Sequence, residues 1–335
     1  LSSLMVGWLL QRALRLPSYR HRVRPCLFQE LPLMLGLVTH PAYDIPLPDG
    51  HRFPATKFSR LMAIMARDGL LDSFDQHHPE PAARADLAAV HCPDYIDAVA
   101  AGTLSARALR VLGLHWSDVL RNRSFLAPNG TLATARLALA NGLACHAAGG
   151  THHAHYDYGA GYCVFNDLVY AARRLVDEGA AGEVLILDCD VHQGDGTARM
   201  LTGDDRIFTC SLHCRTNYPA RRALSNLDVE IEKGTGDAGY LAVLADTLAA
   251  LAARRRRPDL VLYDAGVDVH DDDKLGHLAL SHAGISARDE MVIRHFRDQG
   301  CAVATVIGGG YGADIDEVAL RHSLVFRAAL TVANG

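Results

Sequence analysis

The sequence has no long apolar run and no excess of basic residues. None of its hydrophobic stretches approaches the roughly 20 apolar residues that a membrane-spanning helix requires. Its 33 lysines and arginines are outnumbered by 38 aspartates and glutamates, which gives a formal net charge of −5 over 335 residues. A nucleic-acid-binding domain usually has the opposite balance, concentrated on one face. We therefore expect neither a membrane span nor direct nucleic-acid binding.

Cysteine pairs are also missing. The eight cysteines stand singly, without a CxxC motif, and several lie inside apolar runs. A disulfide framework is therefore not expected here. Isolated cysteines in apolar runs are typical of buried free thiols in a reducing compartment. The sequence therefore predicts a globular protein of the cytoplasm.

Acidic residues are absent before Glu30, although five arginines occur in that stretch. An Arg-rich, acid-poor and amphipathic start is typical of an organelle transit peptide. An upstream extension of a cytoplasmic protein, from a mis-called start, has the same composition, and we prefer this second interpretation. We expect residues 1–30 to be a poorly ordered extension and residues 31–335 to form a single folded domain.

What the chain does contain is an alternation of apolar strands and helices. Runs rich in Val, Ile and Leu predict strands at residues 31–38, 183–188, 206–212, 259–266 and 302–309. Helical patterns occur at residues 57–69, 93–102, 129–142, 166–179, 240–255 and 286–300. Continuous apolar strands that alternate with helices indicate an α/β fold, with a parallel sheet covered on both faces.

Polar clusters follow the predicted strands at the point where each strand ends. Ligands of open parallel sheets bind beyond the carboxyl ends of the strands, so these clusters indicate one common site. The clusters lie at residues 188–192, 213, 268 and 310–311, and at residues 149–153, which close the segment LACHAAGG.

Asp190 and His192 lie two residues apart, so their side chains point the same way on an extended segment. With Asp268 they would supply three oxygen and nitrogen ligands and leave a fourth position open. This is the arrangement of a catalytic zinc site. A hydrogen-bonded turn is the alternative interpretation of the DxH motif taken alone.

His152 and His153 are adjacent and follow two glycines, which makes them a poor core element. A histidine that lies beside a metal-activated water without binding the metal is a natural general base. Each such imidazole needs an acceptor for its second nitrogen. Asp188 and Asp195 are the carboxylates available for this purpose.

Six motifs occur in order along the chain, namely GGTHHA, GYCVFND, LDCDVHQGDG, SLH, AGVDVHDDDKLG and IGGGY. With them the chain resembles the zinc-dependent histone deacetylase family, and it is most similar to the class IV branch and its bacterial relatives. The resemblance runs from about Gly36 to about Val332. It implies a deacetylase catalytic domain over residues 31–335, with the arginase-like fold and a single parallel sheet of about eight strands.

The resemblance also implies a role for each catalytic residue. The implied ligands of a single zinc ion are Asp190, His192 and Asp268. His153 would be the main general base and acid, held by Asp195. His152, held by Asp188, would act on His153 mainly through its electrostatic field.

Further residues are implied to complete the site. Tyr311 would polarise the scissile carbonyl and stabilise the oxyanion, and the three glycines before it permit a close approach to a ligand. The implied structural potassium site consists of Asp188, Ser211 and Leu212, with the backbone carbonyls of Asp190 and His192. The implied substrate tunnel consists of Tyr162, Tyr218, Gly161 and Gly310.

The predicted function is that of a metal-dependent amidohydrolase, which removes an acetyl or longer acyl group from the ε-amino group of lysine. An enzyme for acetylpolyamines or other small N-acyl amines would use the same residues and stays an alternative. A non-catalytic protein that binds acyl-lysine is a further one. A two-manganese, arginase-type centre would need carboxylates where Gly194 and His270 stand, so we expect one metal ion per chain.

Overall fold

The computed structural model describes residues 34–48, 50–254 and 257–335. The predicted N-terminal extension, residues 1–30, lies outside the described residues, as does the start of the strand predicted over residues 31–38. Within the described part, none of the helices combines the length and the apolar composition needed to cross a bilayer.

A single eight-stranded sheet forms the centre of the domain. Its strands are β1 (Leu35–Val38), β2 (Phe74–His77), β3 (Leu143–His146), β4 (Val184–Asp188), β5 (Ile207–Cys214), β6 (Leu227–Ile231), β7 (Leu260–Asp264) and β8 (Ala302–Val306). The strand order is β2-β1-β3-β8-β7-β4-β5-β6, and every neighbouring pair is parallel. The prediction of one parallel sheet of about eight strands is confirmed.

The predicted strands form because their apolar residues are buried from both sides. β4, β7 and β8 are buried at every position, as expected for parallel strands between two layers of helices. Three strands were not predicted. β2 and β6 lie at the two edges and are partly polar and partly exposed, and β3 is only four residues long.

Helices cover both faces of the sheet. They are α1 (Lys57–Arg67), α2 (Arg84–Leu87), α3 (Pro93–Ala101), α4 (Ala106–Leu112), α5 (Asp118–Asn141), α6 (Asp167–Asp177), α7 (Asp195–Met200), α8 (Asp237–Ala252), α9 (His282–Asp298) and α10 (Ile315–Asn334). α5 packs against α6, whereas α1, α10, α9 and α8 pack in succession. Both α5 and α10 contact the strand β3.

Four neighbouring strands end at the same edge of the sheet. In the order β3, β8, β7 and β4, they lead into residues 149–153, 308–311, 265–268 and 189–192. The Cα atoms of Asp188 and Asp264 are paired in register, as are those of Asp264 and Val306. The polar clusters that were far apart in the sequence therefore meet at one place.

Candidate active site

Asp190, His192 and Asp268 converge beyond the ends of β4 and β7. The His192 Nδ1 atom lies 3.0 Å from Asp190 Oδ1 and 3.1 Å from Asp268 Oδ2. One ligand atom from each residue lies within 4.8 Å of the other two, and all three side chains are buried. One nitrogen and two carboxylates at this spacing are a donor set that suits a divalent cation such as zinc.

Backbone groups hold the two carboxylates in place. Gly309 N–H donates a hydrogen bond to Asp190 Oδ2 over 2.8 Å. Val191 N–H donates one to Asp268 Oδ1 over 2.9 Å. A Cβ atom at Gly309 would collide with both carboxylates, which is why this position requires glycine. The remaining oxygens of the two carboxylates face His192, so the donor set is preorganised.

The charges of this cluster also favour a bound cation. Burial raises the pKa of Asp268 to about 7, and the charge of Asp190 adds to the rise. Burial lowers the pKa of His192, but its hydrogen bonds to the two carboxylates outweigh this and raise that pKa to about 10. A cation that binds to His192 must displace this proton and take over its role as counter-charge. Buried like charges are costly unless a counter-charge lies between them. A divalent cation supplies that counter-charge.

His152 and His153 lie side by side next to this cluster, with ring centroids 4.1 Å apart. His152 Nδ1 lies 2.8 Å from Asp188 Oδ2, and His153 Nδ1 lies 2.8 Å from Asp195 Oδ1. Because a carboxylate accepts, each imidazole donates through Nδ1 and leaves Nε2 for other partners. Each histidine thus has the carboxylate partner that the sequence predicts for it.

The two histidines differ in charge. Burial, together with the neighbouring His152, lowers the pKa of His153 to about 3, so this imidazole is neutral at pH 7. Burial also lowers the pKa of His152, but the charges of Asp188 and Asp190 outweigh it and hold that pKa well above its usual value. A neutral imidazole can accept a proton, whereas a charged one contributes an electrostatic field.

Tyr311 lines the same cavity as His153 and His192. Its ring centroid is 6.4 Å from that of His192 and 5.9 Å from that of Tyr162. Its backbone N–H donates a hydrogen bond to Asp273 Oδ2 over 2.6 Å. Within the described residues its hydroxyl has no hydrogen-bond partner, so the phenol is free to donate to a ligand.

Aromatic side chains form the walls of a cavity of about 440 Å³ that leads to His153, His192 and Tyr311. The Tyr218 ring stands edge-on to His153, 4.8 Å from it, and Tyr162 faces Tyr311. Gly161 also lines the cavity, where a Cβ atom would press on the His153 ring.

Gly310 is not among the residues that line this cavity, and its place in the substrate tunnel stays a prediction. It is buried, and a Cβ atom at this position would meet Val267 and the His322 ring. The chain turns at the glycine run so that Tyr311, the next residue, projects into the cavity instead.

The predicted potassium ligands lie on two neighbouring strands. Asp188 and Ser211 are paired in register on β4 and β5, and Leu212 follows on β5. Asp188 Oδ1 accepts a hydrogen bond from Asp190 N–H over 3.1 Å. Ser211 Oγ lies 2.9 Å from His213 Nδ1. Potassium binding at this position stays a prediction.

Two buried polar residues of the site were not predicted. Asp264 lies beside Asp188 and His152, and neither of its oxygens has a hydrogen-bond partner among the described residues. Asp264 could have been found from its place in the strand DLVLYDAG. It is in register with Asp188, the last residue of the neighbouring strand β4. His155 Nε2 lies 3.2 Å from Asp195 and thus shares it with His153.

Comparison with known proteins identifies a family domain and three similar proteins. Residues 51–326 match the histone deacetylase domain. An uncharacterized protein of Picosynechococcus sp. is 45% identical over 296 residues, which cover 88% of this chain and 98% of that protein. Histone deacetylase 2 of Arabidopsis thaliana is 31% identical over 299 residues, covering 85% of this chain and 77% of the relative. The crystal structure of the HDA15 HD domain superposes with a TM-score of 0.74 at 20% identity, over 89% of this chain and 90% of that one, and so shares the fold.

Proposed function

The chain belongs to the histone deacetylase family, and we propose that it hydrolyses the amide bond of acetyl-lysine or a longer acyl-lysine with the help of one zinc ion. The family supports a deacetylase-type hydrolase activity. One observation carries the finer proposal. His153, the phenol of Tyr311 and His192, which belongs to the cluster with Asp190 and Asp268, all border one aromatic-walled cavity.

Asp190, His192 and Asp268 would hold the zinc ion. When bound, zinc supplies Lewis-acid polarisation of an amide carbonyl and of a water molecule. The buried carboxylate pair fits this ion, because its repulsion is offset by a dication. The oxygens of Asp188, Ser211 and Leu212 would hold a structural potassium ion.

His153 is the general base of the proposed mechanism. Asp195 holds its Nδ1–H, so its Nε2 takes the proton from the attacking water and later delivers it to the leaving amine. His152 carries positive charge and stabilises the negative charge that develops nearby. Tyr311 donates its hydroxyl proton in a hydrogen bond to the oxyanion. Tyr162 and Tyr218 enclose the acyl-lysine chain between aromatic walls.

Acetate release from an acetyl-lysine peptide tests this function directly. The purified protein, loaded with zinc, should release one acetate per free lysine formed, and His153→Ala should abolish most of that activity at unchanged metal content. A wild-type protein that binds the peptide without hydrolysing it would support the non-catalytic alternative. Turnover confined to N-acetylpolyamines would support the small-molecule alternative.

A further inference from the structure

We propose that the mouth of the active-site cavity selects acyl-lysine in an acidic sequence context and rejects acylated polyamines. This inference rests on the proposed function and concerns the substrate class of that same site. It follows from the charges of the side chains around the cavity that leads to His153 and Tyr311.

Three exposed cationic side chains line this mouth. Arg52 comes from the loop before α1, Arg110 from α4, and Lys274 from the segment after β7. No carboxylate lines the same cavity among the residues that the structure describes. The fixed charge at the mouth therefore has a single sign.

Two of the three cations are not neutralised locally. Lys274 Nζ donates to Asp272 Oδ1 over 2.8 Å, so its charge is largely offset. Arg52 and Arg110 form no ion pair within the described parts of the chain. Arg52 also acts on the tunnel wall, because its charge opposes the rise that burial causes in the pKa of Tyr162. The positive charge therefore extends to the tunnel itself.

The other described residues that line the cavity carry no negative charge. Burial lowers the pKa of His277, so this rim histidine is neutral at pH 7. Asn217 and Tyr218 complete the polar rim, and they are uncharged as well. An acidic residue beside an acyl-lysine would be attracted to Arg52 and Arg110.

A polyamine would be repelled at the mouth of the cavity. Its free ammonium groups lie a few bonds from the acylated nitrogen, so they would meet the two arginines when the acyl group reaches His153. Like charges at an interface suppress wrong partners, and they do so without changing the catalytic residues. Selection by charge at the rim is therefore separable from catalysis.

A charge series of substrates tests this inference. The probes are acetyl-lysine peptides of equal length flanked by glutamate, glutamine or lysine, together with N-acetylspermidine. At low ionic strength we expect kcat/KM to fall in the order glutamate, glutamine, lysine and acetylspermidine. Each exposed charge pair is worth about threefold, so the first and third peptides should differ by about tenfold. The ratio should shrink in 1 M salt, where the Debye length falls to about 3 Å.

Charge-reversal variants identify the residues that cause the preference for an acidic sequence context. Arg52→Glu and Arg110→Glu, singly and together, should reduce or reverse the preference at unchanged melting temperature. Arg107→Glu is the matched control, because Arg107 is exposed on the same helix α4 but does not line the cavity.

The possible results test the charge selection and the proposed hydrolase function separately. Equal kcat/KM across the charge series, or faster turnover of the lysine-flanked peptide or of acetylspermidine, would overturn the inference and leave the hydrolase function standing. The same shift in Arg107→Glu as in Arg110→Glu would also overturn it. If none of the probes is hydrolysed, the proposed function itself fails.

Discussion

Replacing Tyr311 with phenylalanine removes one hydroxyl and leaves the ring in place. The ring keeps its neighbours Tyr162 and His192, at 5.9 Å and 6.4 Å between centroids, and the backbone stays tied to Asp273. The lost hydroxyl has no hydrogen-bond partner in the described part of the chain. The free energy of unfolding should therefore change by no more than about 0.5 kcal/mol.

The effect on catalysis should be much larger. Tyr311 is the candidate donor to the oxyanion, and losing one such donor typically costs about 2.7–4 kcal/mol in the transition state. This corresponds to a fall in kcat of about 100- to 1,000-fold, with KM and zinc content nearly unchanged. The assay is acetate release from an acetyl-lysine peptide, with the melting temperature and metal content measured on the same preparation.

Tyr218→Phe is the matched control for this variant. Tyr218 lies at the mouth, 43% exposed, with its ring 4.8 Å from that of His153. Loss of its hydroxyl should change kcat by less than about tenfold, because this residue contributes to substrate binding rather than to the oxyanion. A Tyr311→Phe protein with kcat within threefold of wild type, at full metal content, would refute the assigned role.

Two further predictions concern the histidine pair and the metal. His153→Ala should lower kcat by about 10²- to 10⁴-fold, and His152→Ala by less, with a shifted pH profile. Kinetics across pH on both variants decide this, and the reverse order at equal metal content would contradict it. Removal of the metal with a chelator should abolish activity, and one equivalent of zinc should restore it. Elemental analysis should find one zinc ion per chain, and two tightly bound ions would contradict the single-metal site.

Local spacing is what made much of the site predictable. Asp190 and His192 are two residues apart on an extended segment, so their common direction can be deduced without any tertiary information. The buried strands β4, β7 and β8 can also be predicted from the sequence, because each is a continuous apolar run followed by polar residues. Parallel strands with common ends then bring Asp268 to the same edge of the sheet.

The features that were not predicted are set by contacts between residues far apart in the chain, and local sequence does not show those contacts. Asp264 differs from an ordinary turn residue only because β7 lies beside β4, which places it in register with Asp188. β2 and β6 are edge strands, so half of their surface can stay polar and the apolar pattern is lost.

His91 is a buried histidine outside the catalytic cluster that is hydrogen-bonded to Asn166 and His155. Its Nε2 accepts a hydrogen bond from Asn166 N–H over 2.9 Å, and its Nδ1 donates to the carbonyl oxygen of His155 over 2.9 Å. The Asn166 side chain in turn donates to the carbonyl oxygens of His152 and Ala154. Both imidazole nitrogens are therefore used by the neutral form, and protonation would place a second donor against Asn166 N–H.

We expect this arrangement to make the free energy of unfolding fall in acid. Burial lowers the pKa of His91 to about 4, against about 6.5 for an exposed histidine, so the unfolded chain binds more protons as pH falls below 6.5. Between pH 7 and pH 5 the residue alone should cost about 2 kcal/mol of stability. His91→Gln keeps a donor and an acceptor but cannot titrate. Denaturant unfolding at both pH values should therefore show a pH dependence smaller by about that amount, and an unchanged dependence would mean that His91 is not neutral in the folded protein.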